Sequence, residues 1–223
     1  MALDPTLEWA RPAMKLYCFQ VAPNPTKVRL YIAEKIAGGT AVELEGVVVT
    51  LPQGEQNTPE FRARNPFGSL PVLELDDGST IVESLAIIDY LEALFPQPPM
   101  WGISPRAQAR AREVERIVEM RLLNPLATYI HATNSPLGLP PNEHIAQWAA
   151  PRWSMALNYL NALLADGREF LCGDSPTVAD CTLAATLQFA RFGKVSVLNG
   201  MDAIADWDAR YRERPVARMV LTL

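Results

Sequence analysis

Between Asn65 and Ser84 the chain places Asn-Pro-Phe-Gly-Ser-Leu-Pro ahead of the apolar run Val72-Leu73-Glu74-Leu75, then an Asp77-Gly78 turn, then Glu83-Ser84. These residue types can hold a small peptide-like molecule. Pro71 has no N–H to give to a sheet ladder, so it belongs at a strand start and is a candidate cis peptide. A sharp bend there leaves the N–H and C=O of Leu70 unpaired, able to bond a ligand backbone as an added strand would. The run Leu85 to Glu92 has helical apolar spacing, which puts Glu83 and Ser84 at a helix N-terminus. Orphan N–H groups and the positive dipole end favour a carboxylate there, while the Glu83 carboxylate suits an ammonium. The pair therefore reads as a receptor for the α-carboxylate and α-amine of an amino acid.

The elements that must carry these groups follow from the patterning. Lys15 to Val21 alternates as a strand, Ala22-Pro-Asn-Pro25 breaks it, and Thr26 to Ile36 takes helical spacing. Ala41 to Val49 is the next strand, closing a βαβ unit, and Pro52 to Phe61 is turn-rich with a short helix near Pro59. Pro71 to Leu75 and Thr80 to Val82 flank Asp76-Asp77-Gly78-Ser79 as a hairpin. The proline-rich stretch Phe95 to Met100 suits neither a helix nor a central strand, and beyond it the long segments are helical. Helices are expected near 105–132, 142–165, 177–192 and 201–213. The start at Thr177 is the best specified: Thr177-Val-Ala-Asp180 can satisfy two orphan backbone donors reciprocally, which makes Asp180 a structural cap rather than a catalytic acid. Residues 1–13, with Pro5 and Pro12 and no clear period, read as an arm ahead of the first domain.

Composition bounds the function. The 223 residues are 49% hydrophobic and 20% charged, a globular profile with room for two small cores. A net charge of -5 offers no basic excess to neutralise phosphates, so no nucleic-acid partner is expected. No apolar run approaches the roughly 18 residues of a spanning helix, and the acidic start is unlike a signal peptide; no membrane association and a cytoplasmic location are expected. Cys18, Cys172 and Cys181 lack metal-ligand spacing, as do His131 and His144, so no metal is implied and the thiols read as reduced, buried and structural.

From Met14 onward the chain resembles the soluble glutathione transferases, and the ordered set Leu70-Pro71, Asp77-Gly78 and Glu83-Ser84 carries that resemblance. It implies an α/β plus all-α fold: a thioredoxin-like glutathione-binding domain over 14–95, a linker over 96–104 and an all-helical domain over 105–223. It implies glutathione as co-substrate, with Leu70 pairing the cysteinyl backbone and Glu83-Ser84 holding the γ-glutamyl end. Gln56 and Ser69 match positions that meet the glycyl carboxylate, with Arg62 and Arg64 near them in sequence. Met120, Leu123 and Asn124, with Tyr129, fall on or near a helix that the family places beside the sulfur. The same resemblance implies a homodimer, and a small hydrophobic electrophile or a disulfide as the second partner.

One position departs from the pattern. Ala22 stands where the serine- and cysteine-type enzymes carry the group that faces the thiol, and alanine can do neither job. An ordinary thiol, with a pKa of about 8.5, is mostly protonated at neutral pH and needs a donor or positive end to become a thiolate. Asn24 is the candidate, its amide standing at the head of the first helix; Pro23-Asn24 followed by Lys27-Val28 resembles the thiol-site turn of nu-class bacterial transferases, with Pro25 in place of their glycine. Tyr17 is a substitute phenol, but mid-strand. Three readings stay open here: a conjugating transferase, a glutathione-dependent disulfide reductase or peroxidase, and a glutathione-binding module without turnover.

Overall fold

The computed structural model describes residues 14–223; the expected arm over 1–13 lies outside the described residues. Strand β1 (Met14–Cys18) leads into helix α1 (Pro23–Ala37) and then β2 (Leu44–Val48), which pairs parallel to β1. Helix α1 starts three residues earlier than its periodicity indicates. Pro23 and Pro25 fall within its first turn, where a missing N–H costs nothing because no carbonyl precedes it in the helix. After α2 (Pro59–Arg64), capped by Thr58, strands β3 (Val72–Glu74) and β4 (Thr80–Ile81) form the antiparallel hairpin, with Gly78 at φ 83° in its turn. Helix α3 (Ser84–Leu94) closes the sheet half, whose strand order is β2-β1-β3-β4.

The helical half begins at α4 (Pro105–Ile117), capped by Ser104. The single long helix expected over 105–132 contains a π-helical turn, Val118–Leu123, before α5 (Asn124–Thr133). Pro125 accounts for it: proline cannot donate to the carbonyl four residues back, and the wider turn makes room for its ring. Then follow α6 (Glu143–Ala149), a 3₁₀ turn over Ala150–Trp153, α7 (Ser154–Leu164), α8 (Val178–Phe192), α9 (Asp202–Glu213) and α10 (Pro215–Val220). Sequence periodicity does not separate α10 from its surroundings; Pro215 reads as a stop but sits in the first turn of a new helix.

Strand alternation divides the core. Leu16 and Cys18 of β1 join one large cluster that runs through α1 and α3 into α4, α5, α8 and α9, whereas Tyr17 points to the other face with Val49, Phe61, Leu70 and Val72. Cys18 and Cys181 are buried as expected and Cys172 is half-buried; all are free thiols. Burial pushes each of these thiols up, which leaves them protonated.

Helix α1 buries charge. Lys27 reaches Glu119 at 2.6 Å and Glu115 at 3.4 Å, and Glu115 also accepts from Thr182 of α8. Glu34 meets Arg214 at 2.6 Å and accepts from the Tyr211 hydroxyl. Lys35 meets Glu92 at 2.6 Å and donates to the carbonyls of Phe95 and Pro98.

The Thr177–Asp180 capping box forms at the start of α8, and the fully buried Asp180 carboxylate accepts from the N–H of Leu171 at 2.8 Å, the N–H of Thr177 at 2.9 Å and the Thr177 hydroxyl at 2.8 Å. Replacing Asp180 with Ala strands these donors; a loss of about 3 kcal/mol is expected, lowering the thermal midpoint by about 6–12 °C. Ser104→Ala at the exposed cap of α4 should cost only about 1 kcal/mol, and equal losses in the two variants would contradict this reading.

Glu115 supplies a pH signature. Burial pushes its carboxyl up to about 7, against the pull of Lys27. Between the ordinary carboxylate range and that value the folded state holds a proton the unfolded chain has released, so this group's contribution to stability is present at low pH and falls as pH rises toward 7. Denaturant melts across pH should show Glu115→Gln flattening that slope; an unchanged slope would contradict the assignment.

Candidate functional site

The strand registers bring the sequence-predicted groups to one end of the sheet. Tyr17 pairs with Val72 and Cys18 with Val48, so the turn after β1, the loop after β2 and the Leu70-Pro71 step all stand beyond the same strand ends. Ile81 pairs with Leu73, which carries Glu83 and the start of α3 to that end as well. Two helix N-termini, those of α1 and α3, therefore flank the Leu70 backbone.

Local chemistry builds the clamp. The buried Asn65 side chain donates to the Ser69 carbonyl at 2.8 Å and the Ser69 hydroxyl at 3.1 Å, and accepts from the Phe67 N–H at 3.0 Å, closing the Asn-Pro-Phe-Gly-Ser turn. The Leu70-Pro71 peptide is cis, and no described residue takes the N–H or C=O of Leu70 as a hydrogen-bond partner. Glu83 is the N-cap of α3 without a side-chain capping bond; its carboxylate is exposed and makes no ion pair with a described residue. Ser84, the first residue of α3, is buried. Gln56 is buried in the loop after β2, and its side-chain oxygen has no partner among the described residues. Ser69 is exposed beside the clamp. Arg62 and Arg64 are occupied locally: Arg62 holds the Pro66 carbonyl and Asn57, while Arg64 pairs with Glu74 at 3.0 Å.

Ala22 is the N-cap of α1. Because Pro23 and Pro25 lack N–H groups, the first turn presents only the backbone donor of Asn24, beside that of Ala22 itself. The Asn24 amide oxygen is buried without a partner among the described residues, so that side chain is not spent on a local turn bond. Tyr17 is elsewhere: its hydroxyl donates to Glu74 at 2.9 Å under the Arg64 guanidinium, on the α2 side of the sheet. Burial and that carboxylate raise its pKa, which holds the phenol protonated.

Beside Ala22 lies an apolar pocket of about 120 Å³. The sheet half contributes Phe19, Val21, Ala22, Pro23, Leu51 and Pro52; the helical half contributes His131, Pro136, Leu137, Phe189 and Phe192. His131 is the one titratable side chain among its described lining residues. Its Nδ1 lies 3.1 Å from the Ser135 hydroxyl, and burial lowers its pKa, which keeps the ring neutral near pH 7. Met120, Leu123 and Asn124 do not line this pocket: Leu123 is buried in the core, Met120 is exposed, and the Asn124 amide rests on the Met120 sulfur at 3.8 Å. His131 and the two phenylalanines carry no sequence signal of their own, since only the docking of α5 and α8 against the β1–α1 turn makes them neighbours. Among the described residues no three His, Cys, Asp or Glu side chains gather as a metal site, and no helix is long and apolar enough to cross a membrane.

Comparison with known proteins agrees along nearly the whole chain. The profile described as "Glutathione S-transferase, N-terminal domain" matches residues 16–99, and "Glutathione S-transferase, C-terminal domain" matches residues 107–214. Glutathione S-transferase 2 of Saccharomyces cerevisiae is 32% identical over 97% of this chain and 93% of its own length. A maleylacetoacetate isomerase of Pseudomonas aeruginosa is 30% identical over 81% of this chain and 83% of its own length. The crystal structure of a glutathione S-transferase domain-containing protein of Marinobacter aquaeolei superposes with a TM-score of 0.82 at 37% identity, covering 91% of this chain and 99% of that one. With both domain profiles in order on a four-stranded sheet followed by a helical layer, this chain belongs to the glutathione S-transferase family.

Proposed function

We propose that this chain binds glutathione at the sheet end and conjugates its thiol to a small apolar electrophile. The observation that carries this reading is the meeting, at one end of the sheet, of the Leu70 backbone just ahead of β3 and the Glu83 carboxylate at the head of α3, both without partners among the described residues, with an apolar pocket beside the head of α1. Leu70 bonds the cysteinyl backbone, Glu83 takes the γ-glutamyl ammonium, and Ser84 with the N-terminus of α3 takes its carboxylate. Gln56 and Ser69 supply neutral donors for the glycyl end. The family membership supports a cytoplasmic homodimer with functional units over 14–95 and 105–223.

Thiolate formation falls to the α1 N-terminus, whose dipole contributes about 0.3–1 kcal/mol, rising to about 2 where partly buried. The upper part of that range corresponds to roughly one unit of thiol pKa. The Asn24 amide donates to the sulfur and the thiol proton leaves to solvent, while neutral His131, held by Ser135, stands across the pocket without adding charge. A module that binds without turnover is the second reading, favoured by Ala22.

Steady-state assays with an aryl halide, paired with calorimetry using S-methylglutathione, separate these roles. Asn24→Ala should lower kcat/KM about tenfold, the equivalent of one pKa unit, with S-methylglutathione affinity unchanged. Glu83→Gln should weaken both ligands by roughly tenfold or more, as loss of a charged hydrogen bond does, with kcat little altered. Tyr17→Phe should leave both within about twofold, because its hydroxyl serves Glu74. If the unsubstituted protein binds S-methylglutathione but turns over no electrophile, disulfide or peroxide, the module reading replaces the enzyme.

A further inference from the structure

The turn between β1 and α1 is tied to α8 by one side chain, beside local bonds from Thr26 and Arg29 to the Gln20 carbonyl. Gln188 lies in the C-terminal half of α8, fully buried, between Leu187 and Phe189. A primary amide in such a place is costly unless its donors and acceptor are used. They are: Nε2 donates to the Gln20 carbonyl at 3.4 Å and to the Thr26 hydroxyl at 3.3 Å, and Oε1 accepts from the Thr222 N–H at 2.7 Å. The Thr26 hydroxyl, also fully buried, itself donates to the Gln20 carbonyl at 3.0 Å. Gln20 and Thr26 bracket the Ala22–Asn24 head of α1, so this triangle clamps both ends of the turn that carries it.

We propose that Gln188 is a positioning residue for thiol activation: it fixes the β1–α1 turn so that the Ala22 and Asn24 donors stay aimed at the sulfur, and it ties that turn to the chain at Thr222. This rests on the reading that the glutathione thiol meets the head of α1. Phe189, the next residue of α8, lines the apolar pocket, so one helix sets both the wall against the electrophile and the donors at the sulfur. Nothing is transferred to or from Gln188. Its effect passes through the direction of the Ala22 and Asn24 donors, where a shift of a few tenths of an ångström changes a hydrogen bond to sulfur but leaves the clamp around Leu70 and Glu83 intact.

Gln188→Met keeps the length and bulk of the side chain and removes its amide; Thr26→Val cuts the same link from the turn side. The ultraviolet absorbance of bound thiolate, followed against pH, reports the ionisation directly. Each variant should raise the midpoint by about 0.5–1 unit and lower kcat/KM at neutral pH by about three- to tenfold, with S-methylglutathione affinity within about twofold. The double variant should show less than the sum of the single shifts, because both changes cut one network. Should Gln188→Met not fold, Thr26→Val decides alone. A merely structural role would lower the melting temperature and leave the thiolate midpoint in place; that result overturns the proposal. If the unsubstituted protein holds glutathione as thiol throughout, the failure lies in the reading of the α1 head, and the positioning role falls with it.

Discussion

Helix α1 can be buried only because other elements meet its charges. Lys27, Glu34 and Lys35 lie within it almost wholly out of water, and isolated charges in that setting would cost several kcal/mol each. Their partners come from α3 and the segment after it, from α4 and the π-helical turn, and from α9 and Arg214 ahead of α10. Leaving any one charge unpaired would cost about 3–5 kcal/mol, a large share of an ordinary fold's net stability. The helical layer is therefore held to one docking position on the sheet half. That position aligns α8 with the β1–α1 turn, which is what lets Gln188 reach Gln20 and Phe189 wall the apolar pocket.

The site inherits its character from this arrangement. Each half supplies what the other lacks: the sheet half offers backbone groups, two helix N-termini and the exposed Glu83 carboxylate, and the helical half offers aromatic walls and a neutral imidazole. A tripeptide thiol suits the first set, because a strand edge, a carboxylate and a dipole end recognise backbone and termini rather than side-chain bulk. The second set offers an apolar surface with a single imidazole among its described residues. With alanine at the N-cap of α1 and prolines on either side of Asn24, that helix end presents backbone N–H groups and a side-chain amide, with neither a hydroxyl nor a thiol at its first three positions.

The clamp was legible because its information is local. Asn65, Gly68, Pro71, Asp77 and Gly78 each act on the backbone within a few residues, and the Thr177–Asp180 capping box likewise closes within one turn. Features set by distant contacts were not. Lys27, Glu34 and Lys35 look like a solvated stripe until the helix that neutralises them is in place. Pro23 and Pro25 read as a break because proline signals both a stop and a first turn, and Pro125 hid the π-helical turn inside one helical period. His131 entered the sequence argument only as one of two histidines without metal spacing, since its nearness to Ala22 spans more than a hundred residues. Met120 and Asn124 match helical positions of the family, yet both are exposed and neither lines the apolar pocket.

The central claim is that glutathione bound at the head of α1 becomes a thiolate. Calorimetric titration of glutathione at neutral pH, in two buffers of different ionisation enthalpy, measures binding and proton release together. The account predicts binding with close to one proton released per site. Binding with no proton released, or no binding at all, would contradict it.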